Sequence, residues 1–505
     1  MIGRRQFTRA GLGLAAAVAA SGRAAAGGVD PCVGAVLGDA SVRRFRSRIA
    51  GEVILPADPG FDAARLLYNR RFDSRPIAII RPSSEADIAR TIEFARTNGI
   101  GLVVRSGGHS YIGASGGSGL VLDLRSMAGV APLGEGWFRI GAGTQLQHVY
   151  GELACGGAGA WTLPCGSCPT VGFGGIAQGG GFGYLQRMHG LTCDRVRSAR
   201  VVLADGRAVD AGPDGDAELL WALRGGGGGS FGVVTTFDVE AVPYATILVS
   251  GWRWPLALAE EALSLFWSAC ADPAAPRSVT TALVFDLPSA SLANPQCTVV
   301  LFASGSASDE AWVRSRLSGP GGIPAVPGSL FGYEAPSPAC DPNANPGREH
   351  YRAKSAMVSA APATGTGAAI REWMLARVAD PVLDLGDHAT INFLSLGGAV
   401  ADLAAGETAF VHRSARMECQ FLGYAIGDRP AAFEANARWI RGCYADVAPG
   451  LATGGAGCYT NYADGDLAEE EYPGLYWGGN YARLQSVKRR VDPDHAFKGR
   501  QTVRP

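Results

Sequence analysis

What this chain lacks narrows it first. It has no dense basic run and almost no net charge, with 45 Lys and Arg against 46 Asp and Glu in 505 residues, so the electrostatic footprint of a nucleic-acid partner is missing. No stretch is apolar for long enough to act as a stable membrane anchor: the run from Ala10 to Ala20 falls short of the ~20 residues a spanning helix needs. Histidine is scarce, seven in the whole chain. Cys165 and Cys168 form a C-x-x-C, but no second pair and no nearby histidine pair completes a zinc set, so no metal site is expected. The partner that remains is a small molecule.

What is abundant is glycine. Its 71 residues are about twice the usual ~7%, and they are clustered. With 47% hydrophobic and 18% charged residues the chain is a well-packed globular protein, long enough for two or three lobes at roughly 150 residues each.

The N-terminus, "MIGRRQFTRAGLGLAAAVAASGRAAAGG", places Arg4 and Arg5 before Phe7, an alanine-rich stretch and a small-residue "RAAA". This matches a twin-arginine export signal over 1–28, recognised by its own export machinery and implying a periplasmic or extracellular location. That route carries folded proteins, which suits a chain that takes up a cofactor first. Eleven cysteines in an exported chain allow up to five disulfides, and Cys165–Cys168 is a candidate local bridge or redox pair.

Along the chain, "PIAIIRP" (76–82) reads as a strand and "SSEADIARTIEFARTNG" as a helix, started by Ser84 with Asp87 and stopped at Asn98-Gly99. Leu102 to Val104 is a second strand that runs into "RSGGHSYIGASGG" (105–117), a βαβ-like unit delivering a glycine loop. Asp205-Gly206 marks a hairpin. From about 245 to 450 β-rich segments alternate with amphipathic helices, and the last segment returns to aromatic and glycine clusters.

Two patterns in this region mislead. Gly113 to Gly117 fits G-x-S-x-G, but the nucleophile elbow needs a strand before it and a helix after it, and neither flank obliges. Gly172 to Ala177 fits the dinucleotide pattern G-x-G-x-x-A, with Asp194 downstream, but Cys168-Pro169 stands where a strand should. A third reading uses both glycine blocks for one large cofactor. Arg105, Ser106, Ser110 and the loop amides meet pyrophosphate oxygens, while His109 and Cys168 offer two nucleophiles. An electron-poor isoalloxazine ring accepts attack at two carbons, 8α and C6, which is what one histidine and one cysteine would supply.

"RSGGHSYIGAS", "GSCPTVGFGGIAQGGGFGYLQRMHGLTCDRVRSARVVLADG", "ELLWALRGGGGGSFGVVTTF" and "YWGGNYARLQSVKRRVDPDHAF" resemble the berberine bridge enzyme-like flavoproteins, of the vanillyl alcohol oxidase/PCMH superfamily. The resemblance runs from about residue 70 to the C-terminus. It implies an α+β fold: a PCMH-type FAD-binding domain of two α/β subdomains over 40–245, an α+β substrate domain with an antiparallel sheet over 246–450, and a C-terminal segment, 451–505, returning to the FAD domain. It implies FAD joined to His109 through 8α and to Cys168 through C6, with Cys168 the odd cysteine. Cofactor contacts are expected from Gly107, Gly108, Val171, Gly172, Gly175, Gly179, Gly232, Val234, Tyr476 and Asn480. Two departures, Ile176 where many members have histidine and Arg195 where many have asparagine, leave the attachment residues untouched.

The implied chemistry is oxidation of an alcohol carbon, of a sugar, oligosaccharide or secondary-metabolite carbinol, with electrons passed from FAD to O2 to give H2O2; the alternatives are a dehydrogenase using another electron acceptor and a non-catalytic, carbohydrate-binding exported flavoprotein. Tyr462 is the expected base, with Tyr459 the alternative. A phenol of pKa ~10 is a poor base at neutral pH unless its phenolate is stabilised. Gln420 aligns with a pocket position; Glu418 shares its strand parity but is expected to be exposed. In the family, valine three residues after the linking cysteine accompanies oxidases, and here that residue is Val171.

Overall fold

The computed structural model describes residues 39–154, 161–244, 247–286, 296–304, 306–317, 331–335, 347–384, 387–451 and 457–505. The export-signal reading of 1–28 therefore lies outside the described residues.

The helix expected after "PIAIIRP" spans Glu85–Thr97. The Ser84 side chain accepts from the Asp87 N–H, Ile88, Ile92 and Ala95 are buried, and Asn98 closes the helix ahead of Gly99, whose φ is +64°. The strands on either side of it, Ala78–Arg81 and Leu102–Arg105, do not pair with each other. Both lie parallel to Leu120–Asp123, which runs between them, and Glu52–Ile54 adds an antiparallel edge. The second sheet is antiparallel and five-stranded, in the order Val130–Gly134, Trp137–Gly141, Val233–Glu240, Val196–Val202, Ala208–Ala211. Its Asp205-Gly206 turn, with Gly206 at φ +87°, pairs Val202 with Ala208. One hydrophobic core serves both sheets, and Tyr472, Trp477, Leu484, Val487 and Phe497 from the C-terminal segment are part of it.

The third sheet has seven antiparallel strands in the order Phe331–Ala335, Ile247–Pro255, Gln296–Ser304, Val279–Asp286, Ala389–Ser395, Met417–Ala425, His350–Val358. Strand alternation divides its residues between two faces. Ala356, Val358, Ile391, Phe393, Cys419 and Phe421 pack with the helices Ala259–Ala271, Thr366–Ala379 and Pro430–Leu451 into a second core. Tyr351, Ser355, Gln420 and Tyr424 therefore face the other way, toward the first lobe. That opposite face is one wall of the site. The fold is the expected α+β architecture, a mixed helix and sheet molecule with antiparallel sheets.

Candidate active site

A cavity of about 330 Å³ runs between the lobes. One end is lined by glycine: Gly107 and Gly108 from the first block, Gly172 and Gly175 from the second, and Gly226 to Gly229 from the third. These blocks approach one another because they carry no side chains. A Cβ on Gly107 would lie 2.3 Å from the Gly172 nitrogen, and one on Gly172 would lie 2.0 Å from Ser106 Oγ. The third block is tied on by one residue, since the Gln178 carbonyl accepts from the N–H groups of both Gly225 and Gly227.

This end is built for an anionic ligand. The N–H groups of Gly107, Gly108, Gly228 and Gly229 have no acceptor among the described residues, and such unpaired amides form anion-binding concavities. A Cβ on Gly175 or Gly229 would meet nothing within 4 Å, so space for a ligand lies beside them. Gln178 Oε1 is buried without a hydrogen-bond partner, which calls for a donor from outside the protein. Nothing in the sequence pointed to Gln178.

The other end is lined by Tyr68, His109, Tyr111, Cys168, Phe182, Glu349, Tyr351, Tyr424, Tyr459 and Tyr462. His109 and Cys168 thus border one cavity. The His109 Nε2 is 2.8 Å from Thr170 Oγ1, two residues from Cys168, and burial alone lowers the imidazole to about 4, so it is neutral at physiological pH. Cys168 is open to the cavity yet surrounded by protein; that burial, reinforced by the Glu349 carboxylate, pushes its thiol up to about 11. Cys165 is buried, and burial pushes it too to about 11.

No disulfide joins Cys165 to Cys168. All seven cysteines whose side chains are described, Cys165, Cys168, Cys193, Cys270, Cys419, Cys443 and Cys458, are free thiols. The local bridge that the C-x-x-C spacing offered as an alternative is thus not formed, and six of the seven are buried among packed side chains.

Tyr459 and Tyr462 part company here. Tyr459, 1% exposed, accepts from the Gly181 N–H at 2.6 Å and from Asn461 Nδ2 at 2.8 Å, and its ring stacks on Phe182. Its hydroxyl is committed to the fold. Tyr462 stacks on Tyr111 at 5.3 Å, and its hydroxyl has no hydrogen-bond partner among the described residues. Burial, with Tyr111 and Glu418 alongside, pushes the Tyr462 phenol well up. Gln420 Nε2 donates to Tyr111 Oη at 2.9 Å, so Gln420 reaches the site through Tyr111.

Other sequence-selected residues distribute unevenly. Ser106, Ser110, Val171, Gly232, Val234 and Tyr476 line the cavity. Arg105 does not. It is 1% exposed, and its guanidinium donates to the carbonyls of Ala64, Ser115 and Arg65 at 2.6, 3.0 and 3.4 Å, with Asp123 3.9 Å away. The pyrophosphate contact expected of it is therefore replaced by bracing of the loop. Asn480 likewise turns away, its amide donating to the carbonyls of Ala405 and Thr408 at 2.7 and 3.1 Å. Gly179 is outside the lining because Asn461 fills the place a Cβ would take. Glu418 is not exposed as expected but 2% exposed, with Oε1 unpartnered, and burial pushes its carboxyl well up.

Residues 76–212 match the FAD binding domain family, and residues 458–504 match the berberine and berberine-like family. The chain is 28% identical over 471 residues to chitooligosaccharide oxidase of Gibberella zeae, covering 87% of this chain and 89% of that one. It is 29% identical over 519 residues to berberine bridge enzyme-like 18 of Arabidopsis thaliana, covering 91% and 90%. In fold it superposes on glucooligosaccharide oxidase from Acremonium strictum, which carries a 6-S-cysteinyl, 8α-N1-histidyl FAD, with a TM-score of 0.77 at 24% identity over 91% of this chain and 99% of that one. With an FAD-binding domain, a berberine-like C-terminal segment and relatives of the same kind along most of its length, the chain is an FAD-linked oxidoreductase similar to the berberine bridge enzyme-like proteins.

Proposed function

We propose that the chain is an exported oxidase of alcohol carbons that holds FAD by two covalent bonds, to His109 and to Cys168. The observation that carries this reading is that the chain's two site nucleophiles border the same cavity as three glycine blocks, two of which present unpaired N–H groups. When bound, FAD accepts two electrons and a hydrogen from the CH–OH carbon of the substrate and delivers them to O2, giving H2O2.

The protein's part is to bind, orient and move a proton. The amides of Gly107, Gly108, Gly228 and Gly229 receive the pyrophosphate. His109, neutral because it is buried, presents Nδ1 to the ring while Thr170 occupies Nε2. Cys168 keeps its proton until it bonds. Tyr462 Oη takes the substrate's hydroxyl proton; Tyr459 is excluded because its hydroxyl already accepts two N–H groups. Val171 lines the cavity three residues after Cys168, where a small side chain leaves O2 a path.

The relatives named for chitooligosaccharides and glucooligosaccharides favour a sugar, and Tyr111, Tyr351, Tyr424 and Tyr462 offer faces on which a sugar ring stacks. Small-molecule substrate and O2 are the proposed partners, with the export machinery engaged by Arg4 and Arg5. Acid precipitation tests the tethers: wild-type pellets stay yellow, and only the combined His109→Ala, Cys168→Ala variant releases the colour. Colour in the wild-type supernatant overturns the covalent reading. A panel of oligosaccharides monitored for peroxide tests the oxidase; substrate consumption without peroxide indicates a dehydrogenase.

A further inference from the structure

Tyr68 has no place in the chemistry above, yet it makes three contacts at the attachment site. Its N–H donates to the Gly108 carbonyl at 3.1 Å. Its ring stacks on the His109 imidazole, with centroids 4.0 Å apart and planes 19° apart. Its hydroxyl donates to Glu349 Oε2 at 2.8 Å. Glu349 belongs to the other lobe, immediately before the strand His350–Val358, and is fixed to the Tyr68 segment by backbone. The Glu349 N–H donates to the Tyr68 carbonyl at 3.1 Å, and the Arg70 N–H donates to the Glu349 carbonyl at 2.7 Å.

The imidazole is thus held along one edge by Thr170 and across one face by Tyr68. The Thr170 bond fixes one ring atom and leaves rotation about that contact; the stack fixes the plane. A stack alone slides, and the hydrogen bond to Glu349 pins the far end of the phenol ring. We propose that Glu349, acting through Tyr68, is a positioning residue that sets the plane of the His109 imidazole for FAD attachment, so that bonding at His109 depends on the seven-stranded lobe being docked. This rests on the covalent reading above. In the attachment a C–H bond of the 8α-methyl group and an N–H bond of the imidazole give way to one C–N bond, and the two hydrogens with their electrons reduce O2 to H2O2. Cys168 is coupled to this pair only through the Glu349 carboxylate, which holds its thiol up; removing that charge eases ionisation of the thiol, so its bond to the flavin does not fall with the pair.

The test is peptide mapping of the full-length chain after proteolysis, reading the flavin mass on the His109 peptide and on the Cys168 peptide separately, with melting temperature as a fold control. Because misplacement of a reacting group by about 1 Å costs on the order of 100-fold in rate, Tyr68→Ala is expected to lower His109 modification at least ~10-fold at a fixed time while Cys168 modification stays at the wild-type level. Glu349→Ala is expected to fall between, and Glu349→Gln, whose amide oxygen accepts the same hydrogen bond, to restore wild-type occupancy. Wild-type occupancy at His109 in both alanine variants overturns the proposal, as does equal loss at both peptides in a folded protein. Should the alanine variants fail to fold, Tyr68→Phe against Glu349→Gln decides: slower His109 modification in the first only supports it, equal rates overturn it. A wild-type digest with no modified His109 peptide overturns the covalent reading and this inference with it, whereas a modified wild type with unaffected variants overturns this inference alone.

Discussion

The two ends of the cavity are made in opposite ways. At the glycine end the chain contributes backbone, and Arg105 is turned aside, bonded to the carbonyls of Ala64, Arg65 and Ser115. At the tyrosine end it contributes rings, gathered from five segments around Tyr68, Tyr111, Tyr351, Tyr424 and Tyr462. Where its first two blocks meet, the first end is intolerant of an added atom, because Gly107 and Gly172 approach each other backbone to backbone. The second is held by stacking and single hydrogen bonds, so its members are separable in effect. A ligand with one anionic and one uncharged half is what such a cavity accommodates.

The sharpest way to break this contrast is to add one carbon to the glycine end. Gly172→Ala places a Cβ 2.1 Å from the Gly107 nitrogen, and neither neighbour is a flexible side chain tip apart from Ser106. We expect protein that folds around both cores but carries little or no flavin, measured as the ratio of flavin to protein absorbance after gel filtration. Full loading would mean that the blocks can part, and that close backbone approach does not define this end.

At the tyrosine end a single atom should remove catalysis while leaving the flavin in place. Tyr462→Phe is expected to lower kcat by about 10²–10⁴, the usual worth of a positioned acid or base, with flavin content unchanged. Since burial raises the Tyr462 phenol, this proposed base is protonated across the neutral range. The wild-type kcat/KM should therefore climb with pH, without a plateau below about pH 10, the ordinary tyrosine value. A plateau near neutrality would place the proton elsewhere.

The same contrast decides what could be read from sequence. Glycine clusters are local, and the loop around His109 and the block after Cys168 are contiguous strings whose chemistry is visible without a fold. Their limits are equally physical. Arg105 stands beside the loop in sequence, but strand alternation points it into the interior beside Asp123, which a string does not show. Asn480 sits one residue from a helix start and is drawn to the 405–409 loop by tertiary contact. Tyr68 and Glu349 are 281 residues apart, and each is unremarkable where it stands. Glu418 was placed on the correct strand face by parity. Its burial is not legible in the sequence, because a glutamate is seldom fully buried without a partner.

A smaller effect separates the two tyrosines that the sequence offered as bases. Tyr459→Phe removes the acceptor for the buried Gly181 N–H, and an orphaned buried donor costs about 1–3 kcal/mol. We expect a lower melting temperature with kcat changed by less than the Tyr462 variant by at least ~10-fold. Equal losses of rate would mean that Tyr459 touches the chemistry and that the tyrosine end does not divide into framework and working groups.

The smallest expected effect tests whether the tyrosine end's surroundings are as dry as its packing suggests. Glu418 lies on a strand between Met357 and Leu394, and burial holds its carboxyl above the ordinary 4.5. A carboxyl with a raised folded pKa binds its proton more tightly in the fold than in the unfolded chain. Its stabilising contribution is full below pH 4.5 and is lost as pH rises toward the folded value, by up to ~1.4 kcal/mol per pH unit. Glu418→Gln keeps the shape and an acceptor but never ionises. The variant should match the wild type in melting temperature near pH 4 and exceed it progressively at higher pH, as read by calorimetry across a buffer series. A difference that does not change with pH would mean that Glu418 ionises in the fold as readily as in water, and then the wall behind Tyr462 carries a charge that would itself oppose formation of the phenolate.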